Sequence, residues 1–292
     1  MFSPSLAFGF LPQNTKPSPD PDDPKNAPKV PKQPAKHAVV SLAARTRPSR
    51  FRGNRMQWEL PAISLAMLGA LAIFLVSRGE PDAIEAVVLN WTYVGESLWS
   101  HLWLSVAAAL IAAVIAIPLG IALTRSASPW AMTAALTVAN IGQATPVIGV
   151  LVILALLLGI GPSTAIIALV AFSFLPVLRN TLVGLQGVDP ALIQAARGMG
   201  MRTSQILFSV ELPLAAQKII SGFRTALVFS LGAATLATFI NAGGLGEAIV
   251  IGLKLNRIAI LLTGAVLVSA LVLMLDWLVG IVEVALTPRG LD

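Results

Sequence analysis

Residues 189–213 read DPALIQAARGMGMRTSQILFSVELP, the longest polar interruption between apolar runs in the C-terminal four-fifths of the chain. Asp189 is placed to cap a helix whose first residue is Pro190, because proline's missing N–H is no loss there and its φ is already suitable. The helix predicted from Pro190 carries Ala191, Leu192, Ala195, Ala196 and Met199 on one apolar side. Gly198 and Gly200 then let the chain turn, and Thr203 is expected to cap a second short helix. A short helix pair held between long apolar runs reads as a docking surface for another protein.

The composition says what surrounds it. Of 292 residues, 56% are hydrophobic and 12% charged, with a mean hydropathy of +0.81. Soluble domains carry charge at roughly twice that fraction, so the chain is an integral membrane protein. The net charge of +6 does not argue for nucleic acid, because ten of the 20 basic residues precede Gln57. Zero cysteines exclude disulfides and thiol chemistry, and His37 and His101 alone are too few for a histidine metal site.

Residues 1–56 read as a disordered, Pro-rich, basic cytoplasmic tail holding ten of the 20 prolines. The arginines from Arg45 to Arg55 either anchor this end in the cytoplasm or contact anionic lipid or a partner. Hydropathy predicts about six spans, each near the ~20 residues a bilayer needs, at 57–76, 101–124, 130–158, 163–178, 219–240 and 258–282. The third is longer than needed and carries Gln143, Ala144, Thr145 and Pro146 in its middle, so a kink or break is expected there. Residues 78–99 are poor in basic side chains and are expected to form an external loop. Arg179, Arg197, Arg202, Lys218 and Arg224 place residues 189–213 inside, with both termini. The chain thus divides into the tail 1–56, a first helix with its external loop over 57–97, a core of about five spans over 98–285, and a cytoplasmic end at 286–292.

Polar residues at lipid depth are path candidates: Gln143, Thr145, Ser173, Thr235 and Asn241, with Pro146 at the break. For each, an interhelical hydrogen bond is the first reading and a ligand contact the second. Asp276 is the clearest ionisable residue within a span, open to pairing with a basic group such as Arg224 or to a role in transport. His101 reads as an interfacial structural residue at a span edge. No G-x-x-x-x-G-K-[ST] occurs, and Gly243, Gly244 and Gly246 complete no dinucleotide fingerprint; a flexible turn or close-packing segment accounts for them. No catalytic or metal set emerges.

The segment 189–213 resembles the cytoplasmic loop of binding-protein-dependent ABC importer permeases. Their pattern is Glu-Ala-Ala, three residues, Gly, nine residues, Ile, one residue, Leu-Pro. Gln194, Ala195, Ala196, Gly200, Val210, Leu212 and Pro213 match it with spacing intact. Gln194 replaces the glutamate and removes a charge; Val210 replaces the isoleucine conservatively. The resemblance implies an all-α membrane protein of the type I importer kind, with about six transmembrane helices and a coupling helix formed by Asp189, Pro190, Arg197, Gly198 and the matched residues. It implies ABC ATPase subunits that bind the ATP and magnesium, with no cofactor in this chain. It further implies an extracytoplasmic substrate-binding protein, a second permease (identical or homologous), and a place in the bacterial inner membrane. Gly243, Gly244, Gly246 and Glu247 would lie at the outer gate. The stretches LPVLRNTLVGLQGVDPALIQAARGMGM, VELPL and ATFINAGGLGEAIVIGL look most like permeases for glycine betaine, choline and related quaternary amines. Importers for other solutes such as amino acids, and less readily an ATP-independent carrier, are the rival readings.

Overall fold

A computed structural model describes residues 52–126 and 128–286, all in the compact unit Phe51–Asp292. The expected tail falls outside the described residues, except that its last five join the first helix. The described elements are all helical: α1 (Arg52–Ser77), α2 (Ala83–Val88), α3 (Trp91–Arg125), α4 (Pro129–Ala144), α5 (Val147–Leu158), α6 (Pro162–Gln186), α7 (Pro190–Gly198), α8 (Thr203–Ile206), α9 (Leu212–Ala234), α10 (Gly246–Lys254) and α11 (Ile258–Leu286). Among the described helices, five are long and apolar enough to cross a bilayer, counting α8 and α9 as one continuous span, and the bent pair α4–α5 makes up to six.

Helices α3, α6 and α9 form the centre. Their contacts are built from small side chains, with Ala108 and Ala112 on α3, Ala165 and Ala168 on α6, and Ala226 and Ala234 on α9 all fully buried. Glycine brings backbones closer still. A Cβ on Gly120 would stand 2.7 Å from Thr181 Cγ2, and one on Gly222 would stand 2.6 Å from Asn180 Cβ. Lipid offers no hydrophobic drive for helix association, so close van der Waals approach must supply it. Helix α1 packs on α11 at the edge of this centre, and α10 lies against α11.

Two expected boundaries move. The external loop expected at 78–99 is largely helical. Asp82 caps α2, its carboxylate accepting from the Ile84 and Glu85 N–H groups at 3.0 and 2.9 Å. Asn90 caps α3, accepting from the Tyr93 N–H at 2.8 Å. The second span therefore begins at Trp91, ten residues before the expected 101, because local caps extend a helix through polar sequence that hydropathy scores as loop. At the other end α6 runs on to Gln186, past the expected 178.

The break in the third span is real. Helices α4 and α5 meet at 97° across Thr145 and Pro146. Thr145 closes α4, its N–H and hydroxyl both donating to the Ile141 carbonyl, and Pro146 has no N–H with which to continue.

Candidate functional site

The hairpin 189–213 follows from its punctuation. Asp189 Oδ1 accepts from the Ala191 N–H at 2.8 Å, with Pro190 in the first turn of α7. The helix ends in a Schellman arrangement: Gly200, at φ +79°, donates to Arg197 O at 2.9 Å, and Met201 donates to Ala196 O at 3.2 Å. Thr203 is not the cap of α8. Arg202 holds that position, its N–H donating to the Gln205 side chain at 2.8 Å, and Thr203 is the first helical residue.

Beyond α8 the chain makes one π turn, Leu207–Glu211. Pro213 cannot donate to the Ser209 carbonyl four residues back, and its ring crowds that carbonyl, so the turn widens. The outcome is a surface on which Leu192, Met199 and Phe208 are 45%, 75% and 69% exposed, while Ala196 alone in α7 is buried. Gln194, Ala195 and Arg197 are exposed beside them, Val210 and Leu212 are half-buried, and Pro213 is exposed. Glu211 is different. It is 3% exposed and pairs through both oxygens with Arg125 at the last turn of α3, Nη1 to Oε1 at 3.2 Å.

Halfway along the bundle, the α4–α5 break opens a cavity of about 440 Å³ against α6 and α9. Gln143, Thr145 and Pro146 line it with Phe172, Phe229 and Ala233. The other path candidates are not among its lining residues. Ser173 is fully buried and donates to Ala226 O at 3.3 Å, and Thr235 donates to Gly232 O at 2.7 Å. Asn241 is exposed in a left-handed turn at φ 56°. The two phenylalanines had no signal in sequence beyond their apolarity.

Toward the opposite end, a tight turn carries the glycines. Gly243 and Gly244 take φ of +80° and +94°, and a Cβ on them would stand 2.9 Å from Ser100 Oγ and 3.1 Å from His101 Nδ1. A Cβ on Gly246 would stand 2.0 Å from Thr235 O. The close-packing reading of these glycines therefore describes the geometry. His101 lies ten residues inside α3 rather than at its edge, and it is fully buried, its Nε2 3.1 Å from Leu231 O, where the carbonyl requires an N–H on that nitrogen. Glu247, half-buried, sits in the first turn of α10.

Two ion-pair systems brace this frame. Arg224 on α9 meets Asp276 and Glu283 on α11, as the sequence suggested for Asp276. Near the glycine turn, Arg257 Nη1 lies 2.5 Å from Asp82 Oδ2. The Glu85 backbone N–H first, and Arg257 after it, hold the Asp82 carboxyl below its usual value.

Comparison with known proteins defines the class. Residues 116–287 match the family described as binding-protein-dependent transport system inner membrane component. The carnitine transport permease protein OpuCB of Listeria monocytogenes is 38% identical over 212 residues, 71% of this chain and 96% of that protein. The glycine betaine/carnitine/choline transport system permease protein OpuCB of Bacillus subtilis (strain 168) is 40% identical over 201 residues, 68% of this chain and 92% of that protein. In structure, the chain resembles a MetNI methionine ABC transporter described as inward facing, with a TM-score of 0.58 and 25% identity over 67% of this chain and 96% of that one. The chain belongs to the inner-membrane permeases of binding-protein-dependent ABC importers. Within them it is similar to permeases named for osmoprotectants. Membership implies a multi-pass membrane protein working with an ATP-hydrolysing subunit and a substrate-binding protein.

Proposed function

We propose that this chain is the translocating subunit for a quaternary amine such as glycine betaine, choline or carnitine. In this reading ATP and magnesium are bound by a partner ATPase that seats on the hairpin 189–213. One observation carries the reading: an exposed apolar hairpin stands between two long spans, in a chain whose sequence holds no phosphate-binding loop. Leu192, Met199 and Phe208 supply the apolar contact of a helix laid in a groove, and Arg197 and Arg202 supply charge at its rim. Gln194 meets that groove as a neutral amide.

The names of the relatives support the substrate class, and so does the cavity. Phe172 and Phe229 offer ring faces to a trimethylammonium group, and Gln143 offers an amide to its polar end. A cavity lined by phenylalanine, without tryptophan or tyrosine, favours passage over tight retention, so selection rests with the binding protein. The glycine turn and Glu247 form the outer gate on which that protein seats. The hairpin and both termini face the cytoplasm, and a second permease, identical or homologous, completes the pore.

Reconstitution in liposomes tests this. The chain with its ATPase, its binding protein and any second permease should import labelled glycine betaine, choline or carnitine only when ATP is present. Import by the chain alone, or a binding protein that retains amino acids and no quaternary amine, would overturn it.

A further inference from the structure

The hairpin is joined to the bundle by its covalent connections to α6 and α9, and also by one ion pair between a buried carboxylate and an arginine that reaches solvent. Glu211 closes the π turn, and its side chain is 4% exposed. Both its oxygens face the guanidinium of Arg125, 86 residues away at the last turn of α3. A carboxylate withdrawn from water this far is costly unless it is paired, so Arg125 cannot leave without stranding it. The π turn is local, and Pro213 holds it open against an ordinary α turn. Its one extra residue rotates every residue that precedes it by about 100° against α9, relative to a continuous α-helix. The turn runs directly into α9, and the ion pair ties it to α3 as well.

Helix α3 is also the wall on which the glycine turn rests. Ser100 and His101, near its other end, lie against Gly243 and Gly244, and His101 Nε2 is bonded to Leu231 O on α9. One continuous helix, with Pro118 inside it, therefore runs about 37 Å at 1.5 Å per residue from the hairpin's ion pair at Arg125 to the glycine-turn contacts at Ser100 and His101.

We propose that Arg125 and Glu211 are positioning residues that transmit movement of the docked hairpin along α3 to the glycine turn, in parallel with the covalent route through α9. This rests on the hairpin being the ATPase seat. The pair makes no contact with the ATPase in this account; it sets what α3 does when the ATPase moves.

The test uses the full complex with Glu211→Gln, Arg125→Gln and the double variant, in liposomes. Glu211→Gln should retain the ATPase on co-purification and retain basal ATP hydrolysis. Its uptake, and the stimulation of hydrolysis by loaded binding protein, should fall roughly tenfold, because the neutral amide no longer ties the turn to the Arg125 guanidinium. The number of ATP hydrolysed per solute imported should rise. Arg125→Gln should do the same, and the double variant should be no worse than either single one, as expected of two residues acting as one unit. Unchanged coupling in Glu211→Gln, additive losses in the double variant, or failure of Glu211→Gln to retain the ATPase would each overturn the proposal. If the unsubstituted chain itself does not retain the ATPase, the docking reading of the hairpin falls first.

Discussion

Arg224 on α9 reaches across to Asp276 on α11 with two donors, Nη2 to Oδ2 at 2.6 Å and Nε to Oδ1, and spares Nη1 for Glu283 at 3.3 Å. One cation thus serves two carboxylates about two turns apart on one face of α11. The Arg224 side chain is 30% exposed and those of Asp276 and Glu283 are 22% and 17%. Arg224→Gln should strand the Asp276 carboxylate and destabilise the bundle by about 2–3 kcal/mol. Asp276→Asn should cost less, since Glu283 remains to satisfy the guanidinium. Thermal unfolding in detergent gives the order, and equal midpoints for the two variants would contradict it.

The glycines separate into two groups that a methyl group can tell apart. A Cβ on Gly252 would meet Leu261 N at 2.4 Å, and one on Gly246 would meet Thr235 O at 2.0 Å, both backbone atoms that cannot swing aside. Gly252→Ala and Gly246→Ala should each cost about 1–3 kcal/mol or more. Gly142 and Gly232 meet nothing within 4 Å. Alanine there should be neutral or slightly stabilising, because it lowers the entropy of the unfolded helix. Yield and melting temperature of the four variants decide it.

At the cavity, Phe229→Leu and Phe172→Leu keep apolar volume and remove the ring face. A cation–π contact of about 1 kcal/mol corresponds to a loss of roughly fivefold in uptake of a quaternary amine. Affinity of the isolated binding protein should not change. Uptake at the unsubstituted level in both variants would remove the rings from the path.

On the hairpin, Ala195 is exposed and lies within α7. Ala195→Glu should insert and fold normally, yet lose the ATPase, because a buried carboxylate in the proposed groove would find no partner. Gly200→Glu adds the strain of a side chain at φ +79°, about 1 kcal/mol. Retention of the ATPase by both variants on affinity purification would count against the docking surface.

The Asp82–Arg257 pair predicts a pH effect of defined sign. The folded-state pKa of Asp82 is lowered, so its contribution to stability is present above the unfolded value near about 4 and is lost as pH falls through the folded value. Melting temperatures of the native protein and Asp82→Asn should differ by a constant amount above about pH 5 and converge below about pH 4. A difference that persists undiminished at pH 3 would exclude the carboxylate as its source.

How much of this could be read beforehand depends on where the signal lies. The break at Thr145–Pro146 was legible, because proline both removes a donor and excludes the preceding residue from the helical region. The hairpin was legible for the same kind of reason, with Asp189, Pro190 and Gly200 each demanding one local conformation. The start of α3 was not: Trp91 to Ser100 is too polar for a hydropathy window, and the Asn90 cap that extends the helix acts on a single N–H. Arg125–Glu211 was invisible, since neither residue is unusual alone and 86 positions separate them. Phe172 and Phe229 could not be distinguished from other phenylalanines before α6 and α9 were placed on either side of one cavity. Ser173, Thr235 and Asn241, singled out for polarity, find hydrogen bonds or solvent away from its walls.

Gly252 and Gly264 face opposite partners across one seam. The first lies under Leu261 of α11, and the second lies within 3.0 Å, measured from an added Cβ, of the Ile249 nitrogen on α10. Neither helix can slide or roll past the other without a backbone collision. Helices α10 and α11 are therefore locked to each other as one unit, entered through the left-handed residues Asn241, Gly243 and Gly244. A spectroscopic distance between labels on α10 and α11 would stay constant through a transport cycle in which distances from α10 to α3 change.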